Sequence, residues 1–158
     1  MPSVLDDPLR RRILEVLQAE GRLSNQELAD RVGASASPVW RRVKEMEEAG
    51  VIRRYAALLD AEAVGVAECV FTQINIDKHN KEMFDHFEAA VRNRPEVLEC
   101  YAITGDADFL LKIHVSSIRA YDRLLNEFIF RIPGVVHVKS SFTLREIKYD
   151  TALPLPEA

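Results

Sequence analysis

The chain has 158 residues, 47% of them hydrophobic and 29% charged, with a formal net charge of −4. That balance excludes a disordered chain and gives apolar mass for one ordinary domain or two small ones. No apolar run approaches the roughly 18–20 residues of a membrane span, and the opening MPSVLDDPLRRR lacks the apolar stretch of a signal peptide, so a cytoplasmic protein without a membrane partner is expected.

The first helix is expected to start at Asp6 or Asp7, with Pro8 in its first turn. Leu9, Ile13, Val16 and Leu17 recur at helical spacing, and Gly21 reads as the stop. Ser24 opens a second helix, and Glu27 three residues on completes a capping box. Its inward residues are Leu28, Ala29 and Val32, and Gly33 supplies a left-handed turn. The third helix follows at once, capped by Ser35 or Ser37. At about 100° per residue, Ala36, Val39, Val43 and Met46 face inward, while Ser37, Arg41, Lys44 and Glu48 face outward. Trp40 falls at the border and is expected to pack between helices, with DNA contact as the alternative. Gly50 ends the helix, and Val51–Tyr55 reads as a short strand carrying Arg53 and Arg54.

Residues 56–66 read as a connector punctuated by Asp60 and Gly65. Beyond it the spacing predicts strands over Ala67–Ile76, Val97–Ile103, Asp108–Val115 and Val135–Leu144. Helices are predicted over Lys81–Asn93 and Ser117–Arg131. Phe84, Phe87 and Val91 share a face of the first; Ile118, Tyr121, Leu125, Phe128 and Ile129 are expected inward on the second. The order β-α-β-β-α-β is that of a ferredoxin-like split βαβ. Arg94-Pro95-Glu96-Val97 and Ile132-Pro133-Gly134-Val135 form a faint repeat in which a proline stops each helix and a valine starts each strand. The tail, 150–158, carries Pro154 and Pro156 and reads as an extended arm. The expected layout is an α+β chain: a winged helix-turn-helix over 1–55, a linker over 56–66, a βαββαβ domain over 67–149, and the tail.

Charge placement supports a nucleic-acid role for the first part. Residues 1–55 hold 10 Lys/Arg and 9 Asp/Glu, a balance of +1, whereas 56–158 hold 11 and 16, a balance of −5. A braced third helix with a cationic outer side fits a major groove, which is wide enough to admit a helix. Arg41 and Lys44 can reach bases or phosphates. Ser35 and Ser37 suit phosphates beside backbone N–H groups, and Arg42, Arg53 and Arg54 can flank the groove.

SNQELADRVGASASPVWRRVKEMEEAGVIRRYAALLD resembles the DNA-binding region of the Lrp/AsnC regulators, through Ser35, Ser37, Arg41-Arg42-Val43 and Glu48-Ala49-Gly50-Val51-Ile52. Val97-Leu98-Glu99-Cys100-Tyr101 and Thr104-Gly105-Asp106-Ala107-Asp108-Phe109 resemble the same family's ligand-sensing and assembly domain. The resemblance implies a transcription regulator that binds double-stranded DNA and an amino-acid effector. It also implies a homodimer that assembles further, to a tetramer or octamer. The implied effector site is the Gly105–Asp108 loop with Tyr101 and Thr104, completed where dimers meet by Ser140, Ser141 and Thr143. Asp106 or Asp108 would take the ligand's ammonium, and N–H groups around Gly105 its carboxylate. By chemistry alone the loop reads equally as a polar hairpin turn. A bare sheet face carrying Leu110, Val70 and Ile74 is expected to be the dimer contact.

No catalytic residue, metal or cofactor is expected. His79, His86, His114 and His137 form no metal-spaced pair, and Asp106 and Asp108 lack a nucleophile or a histidine partner. Cys69 and Cys100 read as small buried hydrophobes. Two rivals remain: a sirohaem decarboxylase-like enzyme on the same layout, and an architectural DNA-binding protein with no effector.

Overall fold

A computed structural model describes residues 4–77 and 81–156; the sequence position His79 lies outside them. The chain divides into two compact units, Met1–Leu58 with Lys148–Ala158, and Leu59–Ile147.

The first unit holds three helices, α1 (Pro8–Ala19), α2 (Asn25–Val32) and α3 (Ala36–Glu48), preceded by a 3₁₀ turn at Val4–Asp6. Asp7 caps α1, its carboxylate accepting from the N–H groups of Leu9 and Arg10, and Pro8 sits where a missing N–H costs nothing. The stop differs from expectation. Helix α1 ends at Ala19, with the Glu20 N–H donating to Val16 O, and Gly21 does not take a positive φ. The capping box between Ser24 and Glu27 is complete in both directions. Gly33, at φ 66°, turns the chain into α3 within three residues. Ile13, Leu28, Ala29, Val39 and Met46 close the core between these helices.

Val51–Tyr55 is not a strand. After Gly50, the N–H groups of Val51 and Ile52 both donate to Met46 O, finishing α3 instead of starting a ladder. A strand needs a neighbour to pair with, and none of the described residues of this unit forms one. The tail is extended and lies on α1. Gln18 donates to Leu153 O and accepts from Leu153 N, and Arg11 donates to Pro156 O.

The second unit is a four-stranded antiparallel sheet with two helices. Its elements are β1 (Glu68–Ile76), α4 (Lys81–Arg92), β2 (Val97–Ala102), β3 (Phe109–Val115), α5 (Ile118–Glu127) and β4 (Val135–Phe142), with a 3₁₀ turn at Ile129–Arg131. The strand order β2-β3-β1-β4 is the split βαβ arrangement. Val70, Ile74, Phe87, Leu111, Ile113 and Ile129 are fully buried between sheet and helices. Thr72 is also fully buried, its hydroxyl 2.7 Å from that of Tyr121, which lies 2.6 Å from Ser140 Oγ.

Several expectations are corrected here. Val70 and Ile74 lie on the helix-covered face, because Val70 pairs with Ile113 and Ile74 with Phe109. The open face instead carries exposed Phe71 and Tyr101 with half-buried Leu110, Gln73 and Lys112. Ile118 is 63% exposed and Leu124 takes the buried place, since Ile118 is the first residue after the Ser117 cap, about 60° of turn from Tyr121. Cys69 is half-buried and Cys100 exposed, because β2 is an edge strand. Partial burial and the Glu88 charge push the Cys100 thiol above its ordinary pKa, opposite to the shift an activated thiolate needs.

Candidate nucleic-acid interface and effector loop

Helix α3 is anchored by Val39, Val43 and Met46. Its other side presents Ser37, Trp40, Arg41 and Lys44, spaced i, i+3, i+4, i+7, in one exposed stripe. Trp40 does not pack between helices: it is 51% exposed, because Val39 and Val43 already fill the contact with α2. Ser35 occupies the N-cap position without a side-chain cap bond, which leaves its hydroxyl uncommitted to the helix. The Arg41 side chain is 63% exposed and only loosely paired, 3.7 Å from Glu45. Lys44 lies 2.9 Å from Glu47 Oε2. Glu47 is held below the usual carboxylate range, first by the Lys44 hydrogen bond against a burial penalty, then by Tyr55. Arg53 and Arg54 are exposed just beyond the helix.

Arg42 behaves differently from its neighbour. Its Nε donates to Asp7 Oδ2 at 2.6 Å, fastening α3 to the cap of α1. Arg10 donates to Glu45 Oε2 at 2.7 Å, and Arg42 lies 3.9 Å from the same oxygen. The Arg10 hydrogen bond first, against a burial penalty, and then the Arg10, Arg42 and Arg41 charges hold the Glu45 carboxyl below its ordinary pKa. The Asp7 and Arg42 partnership spans 35 positions, and no local pattern announces it.

In the sheet unit, β2 and β3 are joined by the loop of residues 103–108. Gly105 takes φ 113°, a backbone conformation that glycine alone adopts readily. Ile103 N donates to Asp108 O and Asp108 N to Ile74 O, and Asn75 Nδ2 reaches Asp106 O at 2.7 Å. Asp108 Oδ2 accepts from Ile76 N at 2.9 Å, where the pairing of β1 with β4 shifts register. The Ile76 N–H lies just past the last β1–β3 pair, Ile74 with Phe109, so the carboxylate satisfies a donor on that edge that the β3 backbone does not reach. Asp106 and Thr104 are exposed, and Tyr101, 53% exposed, donates to Glu99 at 2.7 Å.

Ser140, Ser141 and Thr143 are not brought to this loop within one chain. Ser140 pairs with Thr72 and Ser141 with Phe71, while Thr143 N donates to Cys69 O. Their partners on β1 run from its middle, Thr72, to near its start, Cys69, so they stand roughly 13 to 23 Å from Ile76 along a strand rising about 3.3 Å per residue. Ser140 turns to the helix side and Ser141 to the open side. A groove of about 480 Å³ lies between α4 and β2, bordered by Glu88, Arg92, Leu98 and Cys100, and none of residues 104–108 lines it. No group of three or more metal-ligating side chains occurs among the described residues, and none of their helices is long and apolar enough to cross a membrane.

Two family models match the two units. Residues 6–53 match a winged helix-turn-helix DNA-binding model, and residues 69–153 match the Lrp/AsnC ligand binding domain. The chain is 38% identical to the glutamate uptake regulatory protein of Zymomonas mobilis, over 92% of its own length and 88% of the relative's. It is likewise 38% identical to the leucine-responsive regulatory protein of Salmonella typhimurium, over 93% and 90%. Among solved structures, a transcriptional regulator of Neisseria meningitidis in complex with L-Met superimposes with a TM-score of 0.89 at 42% identity, covering 94% of this chain and 96% of that one. AsnC of E. coli gives a TM-score of 0.82 at 28% identity, covering 92% and 96%. With a three-helix head matching the winged helix-turn-helix model and a sheet unit matching the ligand-binding model, this chain belongs to the Lrp/AsnC family of transcription regulators.

Proposed function

We propose that this protein binds double-stranded DNA in the cytoplasm through α3 and that an amino acid held at the 101–108 loop adjusts that binding. The observation that carries the first half is the exposed stripe of α3, opposite an inner side closed by Val39 and Met46. Arg41 and Lys44 make the base and phosphate contacts, Ser35 and Ser37 bind phosphate at the helix start, and Arg53 and Arg54 flank the groove. Arg42 serves mainly by holding α3 against Asp7.

The effector half rests on the exposed Asp106 carboxylate beside the glycine turn and on the match to the ligand-binding model. Asp106 takes the ammonium and the N–H groups around Gly105 take the carboxylate, while Asp108 holds the loop in shape. The Neisseria regulator's complex with L-Met supports an amino acid as the ligand class. Tyr101 and Thr104 border the same loop. Ser141 and Thr143 join it only from another copy, which fits a ligand bound between subunits.

Two copies pair through the open sheet face of Phe71, Leu110 and Tyr101 and assemble further, to a tetramer or octamer, placing several heads on a pseudo-palindromic site. A catalytic role is the rival reading, and the curated relatives named above are regulatory proteins.

The test is gel retardation of a duplex pool by the full chain across a salt series, repeated with each of the twenty amino acids. Retardation that falls steeply with salt and shifts with one amino acid supports the reading. No retardation at low salt, with a Soret band on adding a tetrapyrrole, replaces it with the enzyme.

A further inference from the structure

We propose that Trp40 reads a base: its indole covers a thymine methyl group in the major groove, making it a determinant of which sequences this regulator selects. The inference rests on the DNA-binding role of α3 and goes beyond it, because no charge-based argument assigns Trp40 a place at the duplex.

Trp40 is three residues after Ser37 and four before Lys44, so it stands in the outward stripe. It is 51% exposed, and no ring stacking or cation–π contact involves it among the described residues. The inner side of α3 is complete without it, since Val39 and Met46 are shut off from water by the rest of the head. The indole is therefore not part of the apolar cluster that holds the helix. Its neighbours decide what it meets. Arg41 follows it and Lys44 lies one turn on, both exposed, so a phosphate-lined surface approaches this stripe more readily than an apolar protein surface does. Within a major groove the apolar feature is the thymine methyl, which marks T against every other base. A flat apolar side chain between two cations meets that methyl while the cations hold the strands.

The experiment selects binding sites from a random duplex pool with the full-length wild type and with Trp40→Ala and Trp40→Phe. It then replaces each thymine of the wild-type site in turn with deoxyuridine, which removes only the methyl. One position per half-site is expected to weaken wild-type binding about fourfold, the equivalent of about 0.8 kcal/mol for one buried apolar carbon. At that position Trp40→Ala is expected to be indifferent and to lose the preference for T, while Trp40→Phe keeps part of it. Because Trp40 is the single tryptophan of the chain, its emission reports the contact directly and is expected to become shielded from acrylamide when duplex is added. Uniform weakening of Trp40→Ala on all sequences, an unchanged selected site, or emission indifferent to duplex overturns the proposal while leaving DNA binding intact. A wild type that retards no duplex overturns both.

Discussion

Replacing Asp7 with alanine removes two kinds of bond at once. The cap of α1 loses its acceptor for Leu9 N at 2.9 Å and Arg10 N at 3.4 Å, and α3 loses the Arg42 bond at 2.6 Å. Loss of an N-cap costs about 1 kcal/mol. The ion pair joins side chains 24% and 26% exposed, so it is partly screened and worth about 0.5–1 kcal/mol. Asp7→Ala is therefore expected to destabilise the head by about 2 kcal/mol, roughly 10 °C in the melting of so small a unit. Asp7→Asn keeps the acceptor and loses only the charge, for about a third to a half of that effect. Thermal and urea unfolding followed by far-ultraviolet circular dichroism measure both. Burial pushes the Asp7 carboxyl up, but the Arg42 hydrogen bond, the Leu9 and Arg10 N–H groups and the Arg42 charge hold it below 3.8. A carboxyl depressed in the folded state stabilises fully above its unfolded pKa and loses that contribution as pH falls through its folded value. The gap between wild type and Asp7→Asn should thus be constant near neutrality and close below about pH 4. An Asp7→Ala variant as stable as the wild type, or a gap that widens in acid, would refute this account of how α3 is held.

Arg41→Ala is expected to weaken specific binding by about 1–3 kcal/mol without lowering the melting temperature, whereas Arg42→Ala lowers the melting temperature first; retardation and melting of the two variants separate these outcomes. Tyr121→Phe strands the buried Thr72 hydroxyl and is expected to cost about 1–3 kcal/mol in urea unfolding. Gly134→Ala places a Cβ 2.8 Å from Met83 Cβ at φ 88°, so a loss of at least about 1–3 kcal/mol should appear as a lower melting point. Asp106→Ala is expected to abolish the amino-acid response and keep the fold, while Asp108→Ala unfastens Ile76 N and lowers stability; calorimetric titration beside a melt distinguishes them.

The helices were legible because their signals are local. Asp7, Ser24 and Gly33 act within a few positions, and the inner side of α3 repeats at helical spacing. The sheet order follows from the alternation of element types. What escaped depends on partners far away in sequence. Asp7 and Arg42 stand 35 positions apart, and a capping aspartate looks the same with or without a guanidinium behind it. The side of β1 that meets the helices is fixed by its register, Val70 opposite Ile113, and register is not written in one strand. Val51–Tyr55 has the composition of a strand and no neighbour. Trp40 sits at the angular border of the inward face, where periodicity alone does not decide between the bundle and solvent, and the structure leaves it 51% exposed. At the 103–108 loop the glycine turn is visible in the sequence, but the difference between exposed Asp106 and Asp108, which is bonded to Ile76 N, is not. Asp108 is committed to Ile76 N because the β1–β3 pairing ends at Ile74 and Phe109, an end point that only the register fixes.

The tail on α1 matters for anyone handling this molecule. Leu153 is gripped through its backbone by the Gln18 amide, with its own side chain 70% exposed, and Pro156 is tied to Arg11. An affinity handle or fluorescent reporter fused downstream of Pro156 therefore begins on the flank of the DNA-reading head, not on the sheet unit that precedes the tail in sequence. Steric crowding from such a fusion would register as lost operator affinity and mimic a reading defect.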